Sequence, residues 1–150
     1  MPVPHAEVER RVAVLSRALR QHGLRLTHQR LEIVREIAAT DEHPNAETVF
    51  RHVRTRVPTV SLDTVYRTLG TLVDLGLVRQ VYATLGPARY DANTARHQHF
   101  VCTRCGAVHD LDDSGLDTAA ALGTTTFGTV ETVEVQLKGV CSGCNTSAGS

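Results

Sequence analysis

Apolar residues recur with a helical period along the first half of the chain. Val8, Val12, Leu15 and Leu19 share one face between Glu7 and Gln21, and Gly23 ends the run. Leu31, Val34, Ile37 and Ala38 form a second stripe behind Thr27, a residue suited to cap a helix N-terminus. Pro44-Asn45 interrupts the pattern. Asn45 can cap a third segment lined by Val49, Phe50 and Val53, which stops at Val57-Pro58. Ser61 can cap a fourth, with Asp63 in its electropositive first turn. Leu62, Val65, Leu69, Leu72 and Val73 supply its buried face, and Gly76 closes it. The pattern predicts four helices before residue 77.

The period then shortens. "LVRQVYATLGPARYD" predicts two short strands joined around Leu85-Gly86-Pro87. Helices followed by a hairpin predict a winged helix-turn-helix, although a helical bundle with a hairpin lid gives the same pattern. The polar face of the fourth helix, "SLDTVYRTLGTL", offers Thr64, Arg67, Thr68 and Thr71 with Tyr66 beside them, a set suited to a DNA major groove. Arg25, Arg30, Arg51, Arg54 and Arg56 are candidates for phosphate contact. Farther on, "SGLDTAAALG" predicts a short helix and "TVETVEVQLKGV" a strand. The segment Thr129 to Leu137, with Val133, Val135 and Leu137 on one face, is the candidate edge for pairing with a second copy. The expected class is α+β, with a winged-helix domain over residues 1–90 and a small α/β domain over 91–150.

Charge sharpens this division. Net charge is zero, yet residues 1–90 hold 13 lysines and arginines against 9 acids, and residues 91–150 hold 3 against 7. A basic front half and an acidic back half suggest modules with different work. No apolar run approaches the roughly 18 residues of a membrane span, and the charged opening "MPVPHAEVERRVAVL" does not read as an export signal. A cytoplasmic protein is expected, where four cysteines act as metal ligands more often than as disulfides.

Those cysteines form two C-x-x-C pairs, Cys102/Cys105 and Cys141/Cys144, separated by 35 residues. Each pair turns two thiolates toward one ion, and four thiolates in a tetrahedron suit Zn(II). Such a saturated site has no open position, so it staples the fold and does no chemistry. A second constellation precedes and follows the first knuckle. On an extended segment His97 and His99 point to one face, Asp110 lies on the strand after the knuckle, and Asp91 ends the wing. His109 points the other way on such a strand. Nitrogen and carboxylate donors favour Fe(II) or Mn(II). His43, ahead of the third helix, would make a fifth ligand and tie the front module to the back one.

"GLRLTHQRLEIV", "HPNAETVF", "VSLDTVYRTLGTLVDLGLV", "HQHFVCTRCG" and "CSGC" occur in an order that resembles the ferric uptake regulator family of bacterial metal-dependent repressors, over nearly the full length. The resemblance implies a homodimer, a C-terminal dimerisation domain, and binding of double-stranded operator DNA when the regulatory metal is present. It implies DNA contacts at Arg25, Tyr66 and Arg67, to which the groove face adds Thr64, and structural zinc at Cys102, Cys105, Cys141 and Cys144. Aspartate at 91 and 110 with His43, His97 and His99 is similar to the family's peroxide-responsive repressors, whereas its iron-uptake regulators usually carry glutamate at both positions. Under that likeness H2O2 is the signal, reduced at Fe(II), and the oxidant attacks His43 or His97; Mn(II) would hold the repressing shape without reacting. An iron-level regulator is the alternative. The strand "TVETVEVQL" lacks a histidine that several relatives carry there, which argues against a third metal site; Glu131 and Glu134 could substitute, but they read better as exposed strand acids. An enzyme is not expected: two histidines and a carboxylate suit a non-haem iron oxygenase, but no further set of convergent polar groups accompanies them.

Overall fold

Three of the four N-terminal helices begin where a side chain accepts a backbone N–H. The computed structural model describes residues 2–82, 86–93, 97–111, 123–131, 133, 135 and 136–146. The predicted helix at 114–123 therefore lies outside the described residues but for Gly123. Thr27 accepts from the Arg30 N–H at 3.2 Å, Asn45 from Thr48 at 2.8 Å and Ser61 from Thr64 at 3.1 Å. These caps open α2 (His28–Ala38), α3 (Ala46–Arg56) and α4 (Leu62–Asp74). The first helix, α1 (His5–Gln21), starts behind Pro4, two residues earlier than the apolar pattern indicates. Gly23 and Gly76 take positive φ (81° and 72°) after α1 and α4, a conformation that costs glycine little.

Two compact units divide the chain: Met1–Tyr82 with Pro87–Thr94, and Ala83–Gly86 with Ala95–Ser150. In the first, Leu15 and Leu19 of α1 join Ile33, Val34 and Ile37 of α2, Val49 and Val53 of α3, and Val65, Leu69 and Leu72 of α4 in one core. The hairpin that follows pairs β1 (Arg79–Val81) with β2 (Arg89–Asp91) antiparallel, Arg79 opposite Asp91. Helical period located most of this core, with two corrections. Ile33 is fully buried while Leu31 is only half-buried. Thr68 is not on the exposed face of α4: it is buried with Val65, Leu69 and Leu72, and its hydroxyl donates to the Thr64 carbonyl at 2.7 Å. That bond to the preceding turn makes a threonine tolerable in an apolar stripe.

Charged side chains brace the same unit. Arg11, buried on α1, donates to Glu7 Oε1 (2.9 Å), to Asp41 Oδ1 (2.9 Å) and to the Ala38 carbonyl that ends α2 (3.3 Å). Between α2 and α3, Glu32 accepts from Arg35 (2.7 Å) and Arg56 (2.9 Å). Arg56 also reaches Glu36 at 2.9 Å. This side chain, read from sequence as a phosphate contact, is thus held by two carboxylates.

Among the described residues the second unit holds a three-stranded sheet in the order β4-β3-β7 and a separate hairpin of β5 (Gly123–Thr125) and β6 (Gly128–Val130). Strand β3 (Gln98–Cys102) pairs antiparallel with β4 (Val108–Leu111) and parallel with β7 (Gln136–Gly139). The single strand expected over 129–140 is therefore two strands with different partners. Alternation of side chains cannot reveal a change of partner. The phenyl ring of Phe100 lies over Gly139, where an added Cβ would sit 3.2 Å from it. A short helix, α5 (Ser142–Thr146), follows. No described helix is long and apolar enough to cross a membrane.

Candidate metal centres and nucleic-acid interface

The parallel pairing of β3 with β7 sets Cys102 opposite Gly139, so the two cysteine knuckles emerge at the same end of the sheet. Their sulfurs gather: Cys102 Sγ lies 3.9 Å from Cys144 Sγ, and Cys105 Sγ 3.8 Å from Cys141 Sγ. All four lie within 4.8 Å of one another. A tetrahedron with zinc–sulfur bonds of about 2.3 Å has edges of about 3.8 Å, so the four cysteines fit zinc. Backbone N–H groups of Cys105 (3.5 Å) and Cys141 (3.3 Å) point at the Cys102 sulfur and pull its thiol down to about 5. Hydrogen bonds with the neighbouring thiols of Cys141 and Cys105 push Cys144 up to about 12. Sulfurs so close cannot all ionise unless a cation lies among them, which is what a dication supplies.

His99 in β3 and His97 just ahead of that strand are both buried. Their Nε2 atoms face each other at 3.1 Å with the rings nearly perpendicular. Asp110, opposite His99 in the β3–β4 ladder, places Oδ1 3.5 Å from both nitrogens. Neighbouring donors about 2.1 Å from one octahedral ion stand about 3 Å apart, so this trio suits a shared cation. His109 is opposite Phe100 on the other face, the two rings 6.5 Å apart, and takes no part.

The other two candidate ligands lie in the helical unit. Strand β2 runs beside the segment before α3: the Tyr90 N–H donates to the Pro44 carbonyl at 2.9 Å, and Arg89 Nη1 donates to the His43 carbonyl at 3.3 Å. This pairing brings His43 Nε2 to 3.3 Å from Asp91 Oδ2, both residues being 2% exposed. Asp91 Oδ1 accepts from the Asn93 N–H at 2.8 Å, which fixes the carboxylate. His43 has φ of 55°, the only positive value of a described residue other than glycine. A left-handed histidine is a mark of strain held by its surroundings, and such strain concentrates at working sites. Nothing in the sequence signalled it.

The α4 face is less uniform than its sequence indicated. Tyr66 is 44% exposed, and Arg67 is exposed, pairing with Asp63 one turn back at 2.9 Å. Thr64 is half-buried, its hydroxyl bonded to that of Ser61 at 2.8 Å. Thr71 donates to the Arg67 carbonyl. Arg25 is exposed ahead of α2, and its carbonyl accepts from Arg30 Nη1. Arg51 and Arg54 are exposed on α3, Arg54 over the Phe50 ring at 5.8 Å.

Comparison with known proteins places this arrangement. Residues 21–138 match the model of the ferric uptake regulator family. The peroxide-responsive repressor PerR of Staphylococcus epidermidis is 31% identical over 129 residues, 85% of this chain and 85% of that protein. Among solved structures, the Campylobacter jejuni peroxide stress regulator is 29% identical, with a TM-score of 0.65 over 87% of this chain and 98% of that one. A zinc uptake regulator complexed with zinc and DNA is 26% identical, with a TM-score of 0.62 over 95% and 98%. With helices leading into a small cysteine-bearing sheet and a family match over most of its length, the chain belongs to the ferric uptake regulator family, whose members are metal-responsive transcriptional regulators and not enzymes.

Proposed function

We propose that this chain is a metal-dependent repressor that binds operator DNA as a homodimer and is released by peroxide. By the family resemblance, one Fe(II) or Mn(II) ion would be held by His43, Asp91, His97, His99 and Asp110. The observation that carries this reading is the pair of buried imidazole nitrogens facing each other at 3.1 Å with one carboxylate oxygen 3.5 Å from both. Two nitrogens and a carboxylate aimed at one spot need a cation or shared proton between them. The two aspartates supply two negative charges, enough to neutralise a divalent ion. Zn(II) at Cys102, Cys105, Cys141 and Cys144 is the structural ion.

Fe(II) held there would supply the electrons that reduce H2O2 and so an oxidant beside the imidazoles, which Mn(II) would not. His43 and His97 are the proposed targets. Oxygen taken up from H2O2 by either ring, the second oxygen leaving as water, would remove a donor and weaken metal binding, and with it DNA affinity. Tyr66, Arg67 and Thr64 on α4 and Arg25 before α2 would read and grip the duplex. The segment Thr129 to Leu137, which runs into β7 at the edge of the sheet among the described residues and leaves Leu137 40% exposed, is the proposed contact with the second copy. Linkage requires that DNA tighten metal binding by the same factor as metal tightens DNA binding, typically about 5- to 150-fold.

The test is to load purified protein with Fe(II) or Mn(II), add H2O2, measure release from DNA and map added oxygen by peptide mass spectrometry. Release with oxygen on the His43 or His97 peptide, in the iron form alone, is the expected result. Iron-dependent DNA binding with both histidines unmodified after peroxide would replace this reading with that of an iron-level regulator.

A further inference from the structure

Gly70 stands inside α4, where glycine is the poorest helix former apart from proline. Its φ is not positive, so no turn requires it. A helical glycine is often kept because another element packs where its Cβ would be, but a Cβ built on Gly70 meets nothing within 4 Å. The fold of this unit gives no reason to leave the position bare. What the missing side chain opens onto is a cavity of about 370 Å³ lined by Leu19, Leu24, Arg30, Arg67 and Asp74 among others.

Two guanidinium-bearing residues against one carboxylate make this lining net basic. Arg67 is engaged with Asp63 in a pair whose side chains are 79% and 69% exposed, and water competes well for such a contact. Arg30 hydrogen-bonds through Nη1 to the Arg25 carbonyl, which leaves other donors of its fork for a further acceptor. Arginine is suited to bidentate recognition of a phosphodiester. The helix that forms one wall also exposes Tyr66 on its surface.

We propose that this cavity seats the sugar-phosphate backbone of duplex DNA beside the reading helix. Gly70 is bare so that the strand can approach the helix closely, and Arg30 and Arg67 hold its phosphate. The inference rests on the DNA-binding reading above and adds to it a close-approach position that the motif residues do not include.

Gly70→Ala separates a structural from a functional role because the two move in opposite directions. Alanine favours the helix, so the variant's Tm should rise by about 3 °C. Its affinity for a duplex selected from a random pool on the Mn(II)-loaded wild-type protein should fall about tenfold at fixed salt. Arg30→Gln should lower the slope of log affinity against log salt by about 1. Gly70→Ala binding DNA as tightly as wild type, with its Tm raised, overturns the proposal. So does a variant that changes only the oligomeric state in sedimentation, since the cavity then belongs to the second copy. Wild-type protein that selects no duplex in the presence of Mn(II) removes the repressor reading itself, and this inference with it.

Discussion

Replacing Arg11 with methionine tests whether α1 does more than pack. The guanidinium makes two charge-assisted bonds, to Glu7 and Asp41, and a third to the Ala38 carbonyl. Removing one partner of a fully buried pair costs about 3–5 kcal/mol. Here the acid side chains are 30% and 37% exposed and can rehydrate, so each bond is worth about 1 kcal/mol or less. The Ala38 carbonyl loses its donor for about another 1 kcal/mol, and methionine restores most of the stem's packing. The expected loss is about 2–3 kcal/mol in urea unfolding of the metal-free protein. Because Asp41 lies two residues before His43, the variant should also bind Mn(II) several-fold more weakly. Asp41→Asn should reproduce the metal effect with a smaller stability loss. The pH dependence has a definite sign. Hydrogen bonds from Arg10 and Arg11 lower Glu7 from 4.5 to about 2, so its contribution is present above about pH 4.5 and fades as pH falls toward 2. The gap between wild type and Arg11→Met should therefore narrow across that interval by the Glu7 share alone, since Arg10 still lowers Glu7 in the variant and the Ala38 bond does not titrate. Unchanged Mn(II) affinity in Arg11→Met, with the stability loss present, would refute the link between α1 and the His43 segment.

Cys144→Ser should abolish zinc retention and the β-sheet signal by circular dichroism while the α1–α4 helices persist; structural zinc sites contribute about 10–16 kcal/mol of apparent binding energy. His99→Ala should remove Mn(II)-stimulated DNA binding and leave the zinc content unchanged, measured by metal analysis beside fluorescence anisotropy. Thr68→Val should change stability by no more than about 1 kcal/mol in urea unfolding, because the hydroxyl it removes bonds to the Thr64 carbonyl of its own helix.

Local chemistry was the legible part of this sequence. Thr27, Asn45 and Ser61 each cap a helix because capping acts across three residues, and the C-x-x-C spacing announces a thiolate pair for the same reason. Partners distant in the chain were not legible. Arg11 meets Asp41 thirty residues away, and Arg56 meets Glu32 twenty-four residues away, so both look like surface arginines until the helices pack. Thr68 looks groove-facing because its polarity hides a position on the apolar stripe. The left-handed backbone of His43, next to the segment whose Pro44 carbonyl accepts from β2, is announced by no motif.

The parallel alignment of β3 with β7 has a consequence for how the chain acquires its structure. The helical unit can organise through contacts close in sequence, and such contacts form quickly. The knuckles meet only after some forty residues have doubled back and the strands have found the one alignment that sets Cys102 beside Gly139. A slip by a single residue would turn the sulfurs to the wrong face. Newly made chains should therefore pass through a period with finished helices and an unsealed tail, and zinc supply would govern how long it lasts.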